Sequence, residues 1–420
     1  MLHDTRRTAL ALWLFACAVR LLAVLVWGDP NIRGVDQTEY LALAQNLRLH
    51  GAFSYGAPHH WGDPGVLNSP GPYAPTAARA PLYPAMIALL WWSDVPPLPA
   101  IWLVQALLGG FVALFVYQIA RNVFDPVAAL LAGLAAALAP LSTYIVSAVL
   151  ADTLFCFLLT CGVWLWDRQR DFMAGVTMGA AILTRAVLLP AVAAIGLAAL
   201  LFRFNRGTHA RIFLGALLIV APWTARNAVT QHSFVPVATM GWGANLLLGT
   251  GDVSYGSGNP FMTYAQDKTF VNIVKTAPTE AEAESLMLQE GLQRIEKEPL
   301  HWLWVRAKQY PRLFFEGPAY LYSVLPLPRT LIRLGYLLAT ALFVALSVAG
   351  LWMARARWRE IYHVALMPLM LGATCFAGVT EERYSLAMVP MMAVFAGHAV
   401  ERLLTSMAKP REPVQRRRRI

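Results

Sequence analysis

Asp36 and Glu39 stand three residues apart in Gly34-Val35-Asp36-Gln37-Thr38-Glu39-Tyr40, directly after the first long apolar segment of the chain. Two carboxylates about one helical turn apart at a lipid boundary suit general-base chemistry, in which one of them accepts a proton from an attacking hydroxyl. The same spacing also describes a helix cap with its capping-box partner, and the two roles are compatible. Which role dominates depends on the charges that accompany the pair, and those depend on how the chain is threaded.

Composition sets the threading. Of 420 residues, 57% are hydrophobic and only 14% charged, and the mean hydropathy is +0.50. This describes a polytopic membrane protein and excludes a string of soluble domains. The net charge of +10 lies largely in short loops and in Arg416-Arg417-Arg418-Arg419. That is the footprint of cationic loops retained on the cytoplasmic side, not of a nucleic-acid surface. Cys17, Cys156, Cys161 and Cys375 all fall in apolar runs, with neither a disulfide framework nor zinc spacing.

The run 8–27, preceded by Arg6 and Arg7, is long enough to cross a hydrocarbon layer and lacks the short core and cleavage site of a signal peptide. It reads as a retained first span with its N-terminus in the cytoplasm. Further apolar segments at 99–120, 127–147, 149–166, 172–187, 188–202, 211–226, 329–353, 361–379 and 384–404 bring the expected number of spans to about ten. The even-numbered crossings return to Arg121, Arg168/Arg170, Arg203/Arg206, Arg355/Arg357 and the basic tail 405–420, as the positive-inside rule requires. The segment 172–202 reads as an uneven hairpin. The fold class is therefore all-α, a single membrane domain over 1–420.

Two long segments then face outward. The first, 28–98, opens with a helix over 36–47 whose Tyr40, Leu43, Ala44 and Leu47 suit a surface-lying position. It continues through a Gly/Pro-rich loop at 51–80 and ends in a short interfacial or re-entrant helix from Pro81 to Trp92. The second, 227–328, begins with Gly/Asn-rich turns at 241–252, without a complete dinucleotide fingerprint. Thr279 and Glu282 then form a capping box for a helix with Leu288, Leu292 and Ile295 on one face, and 299–316 reads as another interfacial helix.

On this threading Asp36, Arg79, Asp152, Arg185, Arg226, Glu381, Glu382 and Arg383 all map to the external ends of spans or to external segments. Ionisable residues at a membrane boundary are functional candidates by default. Four arginines on the face that ordinarily avoids them point to an anionic ligand, and guanidinium forks match phosphate oxygens. Arg79 and Arg226 also suit interfacial anchors, and Asp152, beside Thr153, a helix cap.

The residues resemble the GT-C glycosyltransferases of the ArnT and protein O-mannosyltransferase type, glycosyltransferase family 39, over nearly the whole length. Asp36-Gln37-Thr38-Glu39-Tyr40 with Gly51-Ala52-Phe53-Ser54 resembles the family's first external loop, and Arg79-Ala80-Pro81-Leu82-Tyr83-Pro84 its basic-Pro-Pro-Leu-Tyr element. Leu183-Thr184-Arg185, Pro222-Trp223-Thr224-Ala225-Arg226-Asn227 and Glu382-Arg383-Tyr384 are similar to its later motifs. The chain departs from the pattern at Gln37, where a second acid is common, and at Ala186, where a proline is usual. The large luminal module of the protein O-mannosyltransferases is missing, which suits a small bacterial relative in the cytoplasmic membrane.

The resemblance implies a sugar transferred from a polyprenyl-phosphate donor to a glycan, lipid or protein acceptor on the external face, by a single inverting displacement. Asp36 is then the base and Asp152 a second base or acceptor-orienting group. Arg79, Arg185, Arg226 and Arg383 receive the phosphate, with Glu39, Tyr40 and Tyr83 in support. No cofactor follows. A divalent metal is compatible with the chemistry, and His59, His60 and Asp63 offer the ligand types, though adjacent histidines in such a loop are usually solvated. A transporter, expected to show related halves and midplane charges, and a non-enzymatic lipid-binding protein are the alternatives.

Overall fold

The computed structural model describes residues 2–31, 34–56, 67–239, 241–251, 267–317 and 319–408. His59, His60, Asp63 and the tail from 409 lie outside them. The described chain is helical, with no strand among the described residues. In order the helices are α1 Leu2–Trp27, α2 Val35–His50, α3 Leu82–Leu90, α4 Leu98–Val123, α5 Pro126–Leu138 and α6 Pro140–Tyr144. There follow α7 Asp152–Asp167, α8 Asp171–Ile182, α9 Leu189–Leu201, α10 Arg206–Gln231, α11 Trp242–Thr250 and α12 Lys268–Thr276. The last six are α13 Glu280–Lys297, α14 Pro299–Gln309, α15 Arg312–Phe315, α16 Arg329–Ala354, α17 Trp358–Ala377 and α18 Val389–Ala408.

Each of the ten expected apolar segments contains a helix. Among the described residues four helical runs can cross a membrane by length and composition: Arg6–Trp27, Leu98–Val123, Arg206–Gln231 and the 49-residue run Arg329–Ala377. A fifth comes from Pro126–Leu138 with Pro140–Ser147, bent by 54°. At roughly 1.5 Å per residue, the 49-residue run is more than twice the thickness of the hydrocarbon layer, enough for two crossings.

The bend after α5 has an identifiable cause. Pro140 lacks the N–H that would bond the Ala136 carbonyl. Arg20, in the middle of α1 and 1% exposed, donates instead to the carbonyls of Ala136 (3.2 Å) and Ala137 (3.1 Å), and to that of Ala16 at 3.1 Å. The two terminal nitrogens of a cation buried in the first span are thus bound by carbonyls at the end of a broken helix, where the helix dipole also favours it, while its Nε has no partner.

The hairpin at 172–202 follows from its glycines. A Cβ on Gly175 would lie 2.0 Å from the Ile212 carbonyl oxygen, and one on Gly179 2.8 Å from that of Ala216. Both contacts advance together along the two sequences, so α8 and α10 run parallel and α9 must return between them. The Gly175-x-x-x-Gly179 spacing is the small-residue seam that lets membrane helices approach closely. Arg185 sits in the turn of this hairpin.

Three expectations about the external segments change. α2 does not lie on a surface: Leu41, Ala42, Leu43 and Ala44 are each at most 1% exposed, because α3 packs on one side and Phe53, Tyr55 and Ala78 on the other. Residues 242–250, expected as turns, form α11. In α13 the Thr279 cap forms as expected, accepting the Glu282 N–H. The buried face, however, is Ala281, Met287 and Gly291, while Leu288 and Leu292 are exposed. Small residues decide that orientation: a Cβ on Gly243 would come within 2.2 Å of the Glu284 carbonyl oxygen, so α11 lies against the slim side of α13.

Candidate active site

Asp36 is the second residue of α2. The cap position belongs to Gly34, which makes no side-chain cap bond, so Asp36 is not the helix cap and Glu39 is not its partner in one. The carboxylate is bound on both oxygens by arginines from distant parts of the chain. Oδ1 accepts from Arg79 Nη2 at 2.6 Å and Oδ2 from Arg383 Nη1 at 2.7 Å. One turn further on, Glu39 Oε2 accepts from Arg79 Nε and Nη2 at 2.7 and 2.5 Å. Glu39 therefore supplies the second acid on Arg79 that Gln37 does not. Gln37 is engaged elsewhere, its Oε1 accepting the Val149 N–H at 2.9 Å and so pinning the segment that leads into α7.

Asp152 is the first residue of α7, again without a cap bond of its own, and is bound by Arg185. Leu82 at the start of α3 donates to the Leu183 carbonyl at 2.9 Å, tying this hairpin to the segment that carries Arg79. Arg383 Nε donates to Glu381 Oε2 at 2.7 Å. The Tyr384 ring lies 5.3 Å from the Arg185 guanidinium and 5.6 Å from that of Arg383. Tyr40 sits 5.6 Å from Arg79 and packs edge-on against Tyr83 at 5.0 Å.

Six of the eight charges singled out from the sequence, Asp36, Arg79, Asp152, Arg185, Glu381 and Arg383, line one cavity of about 840 Å³, within the usual range for ligand sites. Further lining comes from α11, α12 and the end of α17, with Trp242, Asn245, Phe270, Lys275 and Thr374. Nothing in the sequence marked these residues beyond the place of the first four in the long segment 227–328 and of Thr374 in the apolar segment 361–379.

Arg226 is not part of the cavity. It donates to the Thr76 carbonyl at 2.7 Å and stacks on Trp223 at 4.7 Å and on Phe53 at 5.8 Å. Thr76 also donates to Glu280 at 2.8 Å, and Thr239 N to the Ala77 carbonyl at 2.8 Å. Arg226 thus supports the junction of the segments 28–98 and 227–328, three residues before Arg79, as an anchor would. Tyr83 is fully buried behind Tyr40, donating to Gln105 at 2.9 Å. Glu382 turns away to accept the Tyr336 hydroxyl.

In the cluster four carboxylates, Asp36, Glu39, Asp152 and Glu381, face three guanidinium groups, Arg79, Arg185 and Arg383, for a formal charge of −1. Burial pushes Asp36 up, but the charges and hydrogen bonds of Arg79 and Arg383 outweigh it and hold the carboxyl well below the usual carboxylate range. For Glu39 burial wins: its carboxyl is raised despite Arg79, with the charge of Asp36 adding to the rise. Among the described residues no three His, Cys, Asp or Glu side chains converge as metal ligands.

Among solved structures the chain is similar to the Archaeoglobus fulgidus oligosaccharyltransferase tethered with an acceptor peptide containing the NVT sequon. The two are 16% identical with a TM-score of 0.54, over 95% of this chain and 50% of that one. It is also similar to the archaeal oligosaccharyltransferase AglB from Archaeoglobus fulgidus in complex with an inhibitory peptide and a dolichol-phosphate: 12% identity, TM-score 0.51, 96% of this chain and 52% of that one. ArnT from Cupriavidus metallidurans bound to undecaprenyl phosphate is similar at 14% identity and a TM-score of 0.42, over 94% and 78%. No family model matches the sequence, and no curated protein matches it. The chain thus has the GT-C fold of a polytopic membrane protein, as the sequence resemblance implies. It spans about half the length of the oligosaccharyltransferases it matches.

Proposed function

We propose that the chain is a membrane glycosyltransferase that moves a sugar from a polyprenyl-phosphate donor to an acceptor hydroxyl, on the external side of a bacterial cytoplasmic membrane. One observation carries the reading: a carboxylate held between two guanidinium groups lines a cavity large enough for a sugar phosphate, with a third arginine close by. Fold likeness alone does not assign chemistry. The similar archaeal oligosaccharyltransferase adds that a protein of this fold binds a dolichol-phosphate.

In the proposed step the acceptor oxygen attacks the anomeric carbon and its proton passes to Asp36. The bond from that carbon to the phosphate oxygen breaks, and its electron pair stays on the phosphate. Arg185 and Arg383 receive the new charge, which fixed cations in a partly dehydrated site stabilise better than water does. Arg79 keeps Asp36 in place, and Asp152 orients the acceptor. A single displacement inverts the anomeric configuration.

The test is transfer by the purified chain in detergent, with a short-chain prenyl-phosphate sugar and a panel of hydroxyl acceptors, the product's anomeric configuration being read by NMR. An inverted product is expected. A retained configuration contradicts the single displacement, and absence of transfer from any prenyl-phosphate sugar contradicts the reading.

A further inference from the structure

An anionic donor approaching this cluster meets arginines that are already engaged. Each guanidinium group lining the cavity is bound to a carboxylate, and the carboxylates are in the majority. The three arginines are not held equally. Arg79 makes three hydrogen bonds, two to Glu39 and one to Asp36, so leaving means breaking a two-pronged contact with a buried acid. Arg383 makes one bond to Asp36 and one to Glu381. Its side chain, at 25% exposure, is also the more open of the two that hold Asp36, against 18% for Arg79. The second oxygens of Glu381 and Glu39 are both buried without a partner, so the contrast between Arg383 and Arg79 lies in the number of their bonds and in their exposure.

A carboxylate gripped by two arginines is a poor proton acceptor, because its charge is already neutralised. An arginine gripped by two carboxylates is a poor phosphate ligand for the same reason. One movement relieves both.

Building on the donor reading above, we propose that Arg383 is a latch that alternates between two sets of partners: the carboxylates of Asp36 and Glu381 seen here, and the donor phosphate. Glu381 is the positioning residue that sets how readily it lets go. When the phosphate oxygens take Arg383, Asp36 Oδ2 is released to accept the acceptor's proton, while Arg79 still holds Oδ1. Donor binding therefore precedes acceptor activation. When the prenyl phosphate departs and Asp36 returns its proton to solvent, Arg383 goes back to the two carboxylates.

The test uses the purified full-length chain and two readouts that do not depend on turnover. The first is binding of farnesyl phosphate, followed by tryptophan fluorescence, since Trp242 lines the cavity. Glu381 competes with phosphate for Arg383, so Glu381→Gln is expected to bind about tenfold tighter, equivalent to about 1.4 kcal/mol, and Glu381→Asp to bind as the wild type does. A residue that merely braces Arg383 for its ligand gives the opposite sign. Weaker or unchanged binding in Glu381→Gln overturns the latch.

The second readout is labelling of Asp36 by dicyclohexylcarbodiimide, which attacks protonated carboxyl groups, measured against pH with and without farnesyl phosphate. Arg383→Gln is expected to label at higher pH than the wild type, and farnesyl phosphate to move the wild type in the same direction. Identical labelling in Arg383→Gln overturns the latch. A shifted variant beside a wild type that binds no farnesyl phosphate locates the failure in the donor reading, and with it the exchange, rather than in the Asp36–Arg383 contact.

Discussion

Arg20 and Arg383 are both arginines withdrawn from water in a membrane protein, and they differ in what receives them. Arg20 donates to three backbone carbonyls, two of them at the end of α5. Arg383 donates to two carboxylates beside a large cavity. Carbonyls of a helix end are fixed and neutral, so Arg20 completes the fold. Carboxylates next to open space can be replaced by another anion, so Arg383 can change partners. A cation buried in a membrane domain is thus to be interpreted by its acceptors rather than by its depth, a refinement of the default that makes every such residue a functional candidate.

That contrast is open to attack by substitution. Arg383→Ala removes a cation from the developing phosphate charge and is expected to lower transfer by about 10²–10³-fold with folding retained, the usual range for one electrostatic stabiliser. Unaltered turnover would move Arg383 into the same structural class as Arg20. Arg20→Met leaves carbonyls unpaired in the core and is expected to cost about 1–3 kcal/mol of stability, visible as a lower thermal midpoint in detergent, with turnover per folded molecule preserved. Arg226→Gln should behave as a milder Arg20. It loosens the junction at Thr76 and Ala77 and lowers the midpoint, while activity falls by less than about tenfold because Arg79 keeps its own hold on Glu39.

The smallest effect concerns pH. Asp36 is depressed, so its favourable contribution is present above its ordinary value and is lost only as pH falls through the depressed one. Between pH 7 and about 5 it gives stability no acid dependence. Glu284 behaves oppositely. It accepts the Gly243 N–H at 2.6 Å at the start of α11, and burial pushes it up to about 7. The folded chain therefore binds its proton more tightly than the unfolded one, and stability should fall as pH rises through the interval up to about 7. Thermal midpoints across pH 5–8, compared with Glu284→Gln, check the sign. A slope that survives in the variant rules Glu284 out.

The ionic wall of the cavity was legible in the sequence because charge is conspicuous against apolar surroundings. Asp36, Arg79, Asp152, Arg185 and Arg383 stood out at the predicted ends of apolar segments, and the structure gathers them. Glu381 stood out by the same rule, but its role depends on its pairing with Arg383, which spacing alone does not give. Arg226 shared the charge and the predicted face, yet its motif could not tell a ligand from a carbonyl anchor, since that depends on where Thr76 folds back. The rest of the lining was not legible: Trp242 and Asn245 lie on a short, largely apolar helix and Lys275 on a short amphipathic one, brought to the cavity by long-range packing. The burial of α2 was hidden for a related reason. Its alternating small and large apolar residues fit a surface helix until α3 and the Phe53–Tyr55 segment close over it.

In the proposed reaction Asp36 takes the acceptor's proton during sugar transfer from a prenyl phosphate. The most direct measurement is single-turnover transfer from a labelled prenyl-phosphate sugar by wild type and Asp36→Asn, at matched folded protein and saturating donor. A rate about 10²–10⁴-fold lower is expected in the variant, the span of general-base contributions, with donor binding preserved or tightened because a competitor for Arg383 is gone. Equal transfer rates in the two proteins would contradict it.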